Sequence, residues 1–349
     1  MHWCIESCIG ILYPVSSMPT FPTITLVTPS FNQGMYLEQT IDSVLSQGYP
    51  ELEYMVMDGG STDESVNIIK KYAPHLHAWE SRPDGGQSRA INKGLVRSRG
   101  EMVGWINSDD FLEPGALFAW ADGWKSQPSP LAVCGSAKVW DEARFSHLRQ
   151  PSFLGVSRAE TLSKANINQE GTLFNGDKVR ALGGVHPEFQ YAMDLELWFS
   201  LLLGSPEAPV VQIENTVSNF RRHPEAKSSI QAQEPPGKSH MFAERLLLMQ
   251  ALSNLCFPDS KVPMFPAAGL KKPFNYALRV QVSVSLAQHI VSAFVFQHSI
   301  FLEDMGSSFD LLRWLFKSKK AWSPELQPEY RYLMKRGLVH AIFGNPKRP

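Results

Sequence analysis

Two strands and an intervening helix are indicated by residues 24–63, which have the sequence ITLVTPSFNQGMYLEQTIDSVLSQGYPELEYMVMDGGSTD. The apolar run at residues 24–27 predicts a buried strand, and residues 54–57 predict a second one. Apolar side chains lie at helical spacing between them, at Leu37, Ile41, Val44 and Leu45. The stretch therefore predicts a strand–helix–strand unit.

The same alternation continues towards the C-terminus. The patterns predict a helix at 66–72, a strand at 76–79, a helix around Ile91 and Leu95, a strand at 102–106 and a helix at 117–124. These strands are apolar runs rather than alternating ones, which indicates burial on both faces of a sheet. We therefore predict a doubly wound α/β fold, with a mainly parallel sheet between two layers of helices.

The composition narrows the class of protein. Of the 349 residues, 43% are hydrophobic, so we expect a substantial core rather than global disorder. The formal net charge is −1, which argues against a nucleic-acid binder that acts by bulk electrostatics. The four cysteines form no CxxC pair, which fits a reducing compartment, and we expect a cytoplasmic protein.

The chain is expected to divide into an extension, a main domain and a lobe. Residues 1–22 are predicted to be a disordered N-terminal extension. The main domain is predicted over 23–228, with one half at about 23–127 and the other at about 128–228. After a Pro/Gly/Ser-rich link, residues 240–349 are predicted to form a helical C-terminal lobe.

One part of this lobe has an amphipathic pattern. Its apolar side chains recur at helical spacing, at Val282, Leu286, Ile290 and Phe294. The helix either packs on the main domain or makes peripheral contact with a membrane surface, and we favour packing. Residues 280–302 carry too many polar side chains for a helix that spans a bilayer.

Each of the first four predicted strands leads into a polar cluster. The clusters are Thr28–Asn32, Asp58–Asp63, Arg82–Gln87 and Asn107–Asp110. In open parallel sheets, ligands bind beyond the carboxyl ends of the strands. We therefore expect the four clusters to meet at one edge of the sheet.

Each cluster also has a purely structural interpretation. Ser61 and Glu64 would form a capping box for the second helix, and residues 107–110 would be a turn before a helix beginning at Pro114. Convergence of carboxylates needs a further reason, because like charges are costly together unless a cation binds them. Asp109 and Asp110 are therefore candidate ligands of Mg²⁺ or Mn²⁺, which would in turn hold a diphosphate.

The ordered series of motifs resembles the family 2 glycosyltransferases with the GT-A fold. The resemblance lies in residues 25–34 (TLVTPSFNQG), 43–47 (SVLSQ), 58–63 (DGGSTD), 86–94 (GQSRAINKG) and 105–110 (WINSDD). It extends over about 23–228 and implies a mixed, mainly parallel Rossmann-like sheet of the nucleotide-diphospho-sugar transferases. No GxxxxGK[ST] or GxGxxG loop is present to bind phosphate, so the diphosphate would depend on the metal.

The resemblance also implies roles for individual residues. The donor site would be formed by Pro29, Ser30, Asn32, Asp58, Asp84, Gln87, Asn92, Asn107 and Ser108. Among these, Asp58 would contact the base or its ribose. Asn107-Ser108-Asp109 occupies the place of the DxD metal motif, but its first residue is Asn. The metal ligands would be Asp109, with Asp110 beside it, and His223 from the segment FRRH at 220–223.

An acidic segment is the candidate for the catalytic base. Asp194 and Glu196 begin the apolar run at residues 197–203, which predicts a helix start. The helix dipole there favours an ionised carboxylate. The resemblance implies that Asp194 is the base and that Glu196 supports it. The segment at 168–174 resembles the acceptor side of these enzymes.

The function implied is inverting transfer of a sugar from a nucleotide-diphosphate sugar to the hydroxyl of a glycan, lipid-linked or other acceptor. Bacterial surface polysaccharide or glycoconjugate synthesis is the expected setting, with Mn²⁺ or Mg²⁺ as cofactor and no nucleic-acid partner. Two other classes of enzyme are disfavoured by the sequence. A sugar-nucleotide pyrophosphorylase would need a glycine-rich basic loop near the N-terminus, and a dehydrogenase would need a glycine fingerprint after the first strand. Neither motif is present in the sequence. The alternative from another class is a non-catalytic nucleotide-sugar or carbohydrate-binding protein.

Overall fold

The computed structural model describes residues 21–150, 162, 168–233, 239–256, 276–287 and 290–291. The predicted extension at 1–22 therefore lies outside the described residues except for its last two. Phe294 and the rest of the predicted lobe beyond residue 291 also lie outside the described residues.

Four parallel strands form one side of the sheet, in the order β3-β2-β1-β4. They are β1 Ile24–Ser30, β2 Leu52–Asp58, β3 Ala78–Ser81 and β4 Met102–Trp105. The helices between them are α1 Gly34–Leu45, α2 Ser65–Tyr72 and α3 Gln87–Arg97. Every residue of β1 is buried, as expected for a strand covered on both faces. The predicted α/β alternation is confirmed here.

The second half of the sheet is largely antiparallel. Its elements are β5 Phe111–Leu112, α4 Ala116–Lys125, β6 Ala132–Asp141, β7 Arg144–Arg149, β8 Thr172–Asn175, α5 Gly176–Ala181, α6 Met193–Gly204, β9 Val210–Arg222, α7 Lys227–Gln233 and α8 His240–Cys256. β8 pairs antiparallel with both β4 and β6, whereas β6 and β9 are parallel. The result is one mixed nine-stranded sheet, ordered β3-β2-β1-β4-β8-β6-β9-β5, with β7 on β6.

Two local predictions were wrong. Ser61 and Glu64 do not form a capping box for α2, because the Ser61 hydroxyl donates to Asp58 and the Ser65 amide at the helix start donates to the Asp63 carboxylate. The helix predicted to begin at Pro114 begins at Ala116, because the preceding residue, Gly115, has a left-handed backbone with φ 81°.

The sheet has a separate hydrophobic core on each face. Val27, Met55 and Trp105 contribute to one core together with α3, α6 and α8. Leu26 and Val56 contribute to the other core together with α1 and α4. Successive strand side chains point to opposite faces, so each central strand supplies both cores.

The amphipathic segment of the predicted lobe packs on the first of these cores. Ile290 is fully buried in it, and Val282 and Leu286 are partly buried against it. The apolar positions that are described thus contact the main domain, as the favoured interpretation expected. Among the described helices, none has both the length and the hydrophobicity needed to cross a bilayer.

Candidate active site

The four polar clusters line one cavity of about 1040 Å³ at the carboxyl edge of the parallel strands. Ser30, Asp58 and Ser81 are in register across β1, β2 and β3, so the loops that follow begin at the same level. The lining includes Pro29–Phe31, Gly59–Gly60, Pro83–Gln87 and Asn107–Asp109. The expected convergence of the clusters is confirmed.

The loop after β1 contributes both lining and bracing residues. Pro29 and Ser30 line the cavity, and the buried Ser30 hydroxyl has no hydrogen-bond partner among the described residues. Asn32 lies beside the lining with φ 52°, and its side-chain oxygen accepts from the Thr62 amide at 2.9 Å. Phe31 also lines the cavity and is 59% exposed, although no role was predicted for it.

The Asp58 carboxylate is already occupied by protein donors. It accepts from the Gly60 and Ser61 amides at 3.1 and 2.9 Å and from the Ser81 hydroxyl at 2.7 Å. Asp58 is 1% exposed and is not part of the cavity lining. In this structure it shapes the turn that presents Gly59 and Gly60 to the cavity.

The third cluster and the helix α3 that follows it also contribute both lining and bracing residues. Asp84 and Gln87 line the cavity, and an Asp84 oxygen accepts from the Gly86 amide at 2.8 Å. Asn92 instead bridges to Val185, donating to its carbonyl at 2.8 Å and accepting from its amide at 2.9 Å. Asn92 is therefore a brace between α3 and the segment after α5, outside the lining.

Asn107 links two parts of the site through its amide group. Its oxygen accepts from the Gln87 side chain at 2.8 Å, and its nitrogen donates to Asp110 at 3.1 Å. Asp110 is fully buried outside the lining, and its other oxygen accepts from the Arg221 amide at 2.9 Å. Burial, together with the charges of Asp109 and Glu170, raises the pKa of Asp110 well above its ordinary value. These contacts explain why an amide fits the first position of this motif.

We expect Asn107→Asp to destabilise the protein by about 1–3 kcal/mol, because it removes the donor to Asp110 and brings a second carboxylate against it. The free energy of unfolding from urea titration measures the effect. Asp177→Asn, at a side chain that is 94% exposed, is the control and should leave stability nearly unchanged. An Asn107→Asp protein as stable as wild type would contradict this account of the position.

Asp109 and His223 form the pair best suited to hold a cation. The His223 Nε2 atom and an Asp109 carboxylate oxygen are 3.0 Å apart, and Asp109 lines the cavity. Arg221 donates to the Asp109 carbonyl at 2.8 Å, which fixes the backbone there. Among the described residues, no three His, Cys, Asp or Glu side chains converge. One carboxylate and one imidazole fit Mn²⁺ or Mg²⁺ only if the substrate supplies further oxygen ligands. Asp110, which faces Asn107 and Arg221, is not placed to join this pair.

Asp194 and Glu196 lie on different sides of α6. Asp194 is in the first turn, lines the cavity and accepts from the Leu195 amide at 2.8 Å. Burial raises the pKa of its carboxyl. Glu196 is fully buried away from the cavity, where it forms an ion pair with Arg279 and accepts from the Tyr276 hydroxyl at 2.9 Å. The structure therefore corrects the expected supporting role: Glu196 anchors residues 276–279 to α6.

Basic side chains in the lining were not predicted as site residues. They are Arg149, Arg221, Arg222, Lys227 and Arg245. Arg149 pairs with Glu170 at 2.7 Å, and Lys227 donates to the Gln87 side chain at 2.9 Å. Of these five residues, only Arg221 and Arg222 lie next to a predicted site residue in the sequence, namely His223. The others come from a hairpin and two late helices that no motif marked.

Solved structures show which fold this chain has. The structure of residues 1–349 of S. aureus TarS in complex with UDP-GlcNAc has a TM-score of 0.58 at 17% identity, over 91% of this chain and 81% of that chain. The mannosyltransferase PcManGT of Pyrobaculum calidifontis, in complex with GDP-Man and Mn²⁺, has a TM-score of 0.52 at 18% identity, over 93% and 82%. At these identities the likeness establishes the fold, which is GT-A.

The sequence matches agree with this fold. Residues 25–178 match the model of Glycosyl transferase family 2. An uncharacterized glycosyltransferase of Mycobacterium tuberculosis is 28% identical over 180 residues, which are 51% of this chain and 68% of the relative. A chondroitin synthase of Escherichia coli is 26% identical over 189 residues, which are 53% of this chain but only 27% of the synthase. The resemblance predicted from the motifs is confirmed.

Proposed function

We propose that this protein transfers a sugar, with inversion, from a nucleotide-diphosphate sugar to an acceptor hydroxyl. The observation that carries the proposal is that Asp109, in the position of the metal motif, and Asp194, a separate carboxylate, line one cavity. Transfer of this kind needs one group near the leaving diphosphate and another that takes the acceptor proton. The nucleotide sugars named with TarS and PcManGT support a donor of this class.

The donor would occupy the side of the cavity formed by the loops after β1 to β4. Ser30 offers a buried hydroxyl that has no partner in the described part of the chain, and Phe31 offers an exposed ring on which a base can stack. Asp84 and Gln87 lie in the same lining and offer polar contacts to the ribose or the sugar. Lys227 brings a positive charge next to Gln87, where it would attract the diphosphate.

The chemical step would depend on a metal-binding pair and on a base. Asp109 and His223 would hold Mn²⁺ or Mg²⁺, which as a Lewis acid would neutralise charge on the leaving diphosphate. Asp194 would accept the proton of the acceptor hydroxyl as the new bond forms, and it must be ionised to do so. Attack on the side of the anomeric carbon opposite to the diphosphate inverts its configuration.

The acceptor is proposed to be a growing glycan or a lipid-linked or other glycoconjugate. This proposal rests on the relatives, because the chondroitin synthase of Escherichia coli is named for a polysaccharide product. Bacterial surface polysaccharide synthesis would be the corresponding setting.

A non-catalytic nucleotide-sugar-binding protein is the second candidate, and one experiment separates the two. Thermal unfolding is measured with UDP-, GDP- and dTDP-sugars in the presence of Mn²⁺, because a ligand that binds the folded state raises the melting temperature. The stabilising donor is then incubated with acceptor hydroxyls, and release of the nucleotide diphosphate is followed. We expect wild type and Asp194→Asn to be stabilised equally, with release by Asp194→Asn slower by ~100-fold or more. Stabilisation without release by wild type would support the binding protein.

A further inference from the structure

The segment that leads into α6 is held by a carboxylate from the C-terminal helix α8. Glu244 accepts from the Gln190 amide at 2.8 Å with one oxygen, and from the Tyr191 and Ala192 amides at 2.9 and 2.7 Å with the other. Glu244 is 3% exposed. A buried carboxylate that accepts three backbone N–H groups defines the position of that backbone closely.

This segment is the part of the cavity wall that presents Asp194. Residues 190–195 all line the cavity, and Ala192 is the residue that precedes the first turn of α6. The amides bonded to Glu244 are therefore the last ones before the helix start. A displacement of this backbone would move Asp194 directly.

The same segment contacts the donor side of the cavity. The Ser88 hydroxyl donates to the Phe189 carbonyl, and Lys227 donates to the Gln190 carbonyl at 3.4 Å. Gly86 has φ 120°, and a Cβ there would lie 2.5 Å from the Gln190 side-chain oxygen, so glycine permits this close approach. Residues on the donor side of the cavity thus hold the segment from one side, and Glu244 holds it from the other.

From these contacts we infer that Glu244 is a positioning residue for the transfer reaction. It holds residues 190–192 so that Asp194 faces the acceptor side of the cavity, and α8 is thereby part of the active site. Glu244 lies outside the segment matched by the family model, which ends at residue 178. The inference rests on the proposed function, because Asp194 needs a positioned carboxylate only if it acts as the base.

The test uses the full chain with Glu244→Gln, which keeps the side-chain shape but leaves one acceptor atom and adds two donors that face backbone N–H groups. Hydrogen exchange of the amides of residues 190–192 and the kcat for transfer are measured, together with the donor Kd. We expect faster exchange at these amides, a kcat lower by ~10- to 100-fold and a donor Kd within about 2-fold of wild type, because small misplacements of a reacting group reduce kcat strongly.

Glu53→Gln is the matched control for the loss of a buried carboxylate. Glu53 is also a buried carboxylate, and it accepts from the Thr25 hydroxyl and the Arg99 amide at the opposite edge of the sheet. This variant removes the same kind of buried carboxylate, and exchange at residues 190–192 and kcat should stay as in wild type. If Glu244→Gln does not fold, Glu244→Asp keeps both oxygens with a shorter reach and should give an intermediate kcat.

The outcomes separate the inference from the proposed function. Unchanged exchange at residues 190–192 in Glu244→Gln overturns the inference, and so does a kcat equal to wild type in the variant that folds. Absence of transfer by the wild-type protein, with any acceptor, removes the proposed function instead. In that case the exchange experiment still shows whether Glu244 holds the segment, and the catalytic part of the inference falls with the function.

Discussion

Asp194→Asn is expected to lower turnover by ~100-fold or more and to leave donor affinity nearly unchanged. The change keeps the size and shape of the side chain and removes its ability to accept a proton. Asp194 lines the cavity at the first turn of α6, so the variant should fold and bind the donor as wild type does. Steady-state kinetics with the identified donor, combined with the donor Kd, measure the two effects separately.

Glu196→Gln is the comparison for this prediction. Because Glu196 is buried and paired with Arg279, we expect its main effect on the free energy of unfolding. Normal turnover by Asp194→Asn would contradict its assignment as the base, whatever the activity of Glu196→Gln.

The pH profile gives an independent check on Asp194. Burial raises the pKa of its carboxyl, and a base must be ionised to act, so kcat/KM should fall as the pH drops through this raised pKa. The acidic limb should therefore lie above the ordinary range of an aspartate.

Removal of the metal is expected to lower the rate of transfer at least as strongly as Asp194→Asn does. Excess EDTA should abolish transfer, and added Mn²⁺ or Mg²⁺ should restore it. Asp109→Ala should lower kcat by ~100-fold or more at any metal concentration, because it removes the charged ligand and leaves the diphosphate uncompensated. Initial rates across a metal titration measure both effects.

A charge control accompanies the Asp109 variant. Asp177→Ala removes the same charge at a side chain that is 94% exposed, and it should leave the rate unchanged. His223→Ala should raise the metal concentration needed for half-maximal activity, because His223 lies 3.0 Å from Asp109. Full turnover in excess EDTA would contradict the metal proposal.

The parallel half of the sheet could be predicted because its signals are local. Three of its strands, β1, β2 and β4, are built on apolar runs within one stretch of chain, and the polar residues that end each of them lie next to it in sequence. The geometry of a parallel sheet then brings Ser30, Asp84 and Asp109 to one edge without further information.

The antiparallel half was not predicted in detail. The pattern weakens after Leu131, yet β6 begins at Ala132 and pairs with both β8 and β9. Gly135, Ser136 and Lys138 interrupt the apolar run in β6, although Ser136 is buried. Tertiary pairing overrides this weak local signal.

The sequence by itself determined the α/β class, the family resemblance and the edge of the sheet where the polar clusters meet, because these follow from local periodicity and short motifs. Only the tertiary structure decided which carboxylates face the cavity. Asp194 and Glu196 are two residues apart on α6, and the helical rotation between them sends one to the cavity and the other to Arg279. Glu244 reaches the wall of the cavity from more than fifty residues beyond Gln190. No local pattern can indicate such a contact, because it exists only after α8 has packed on the core.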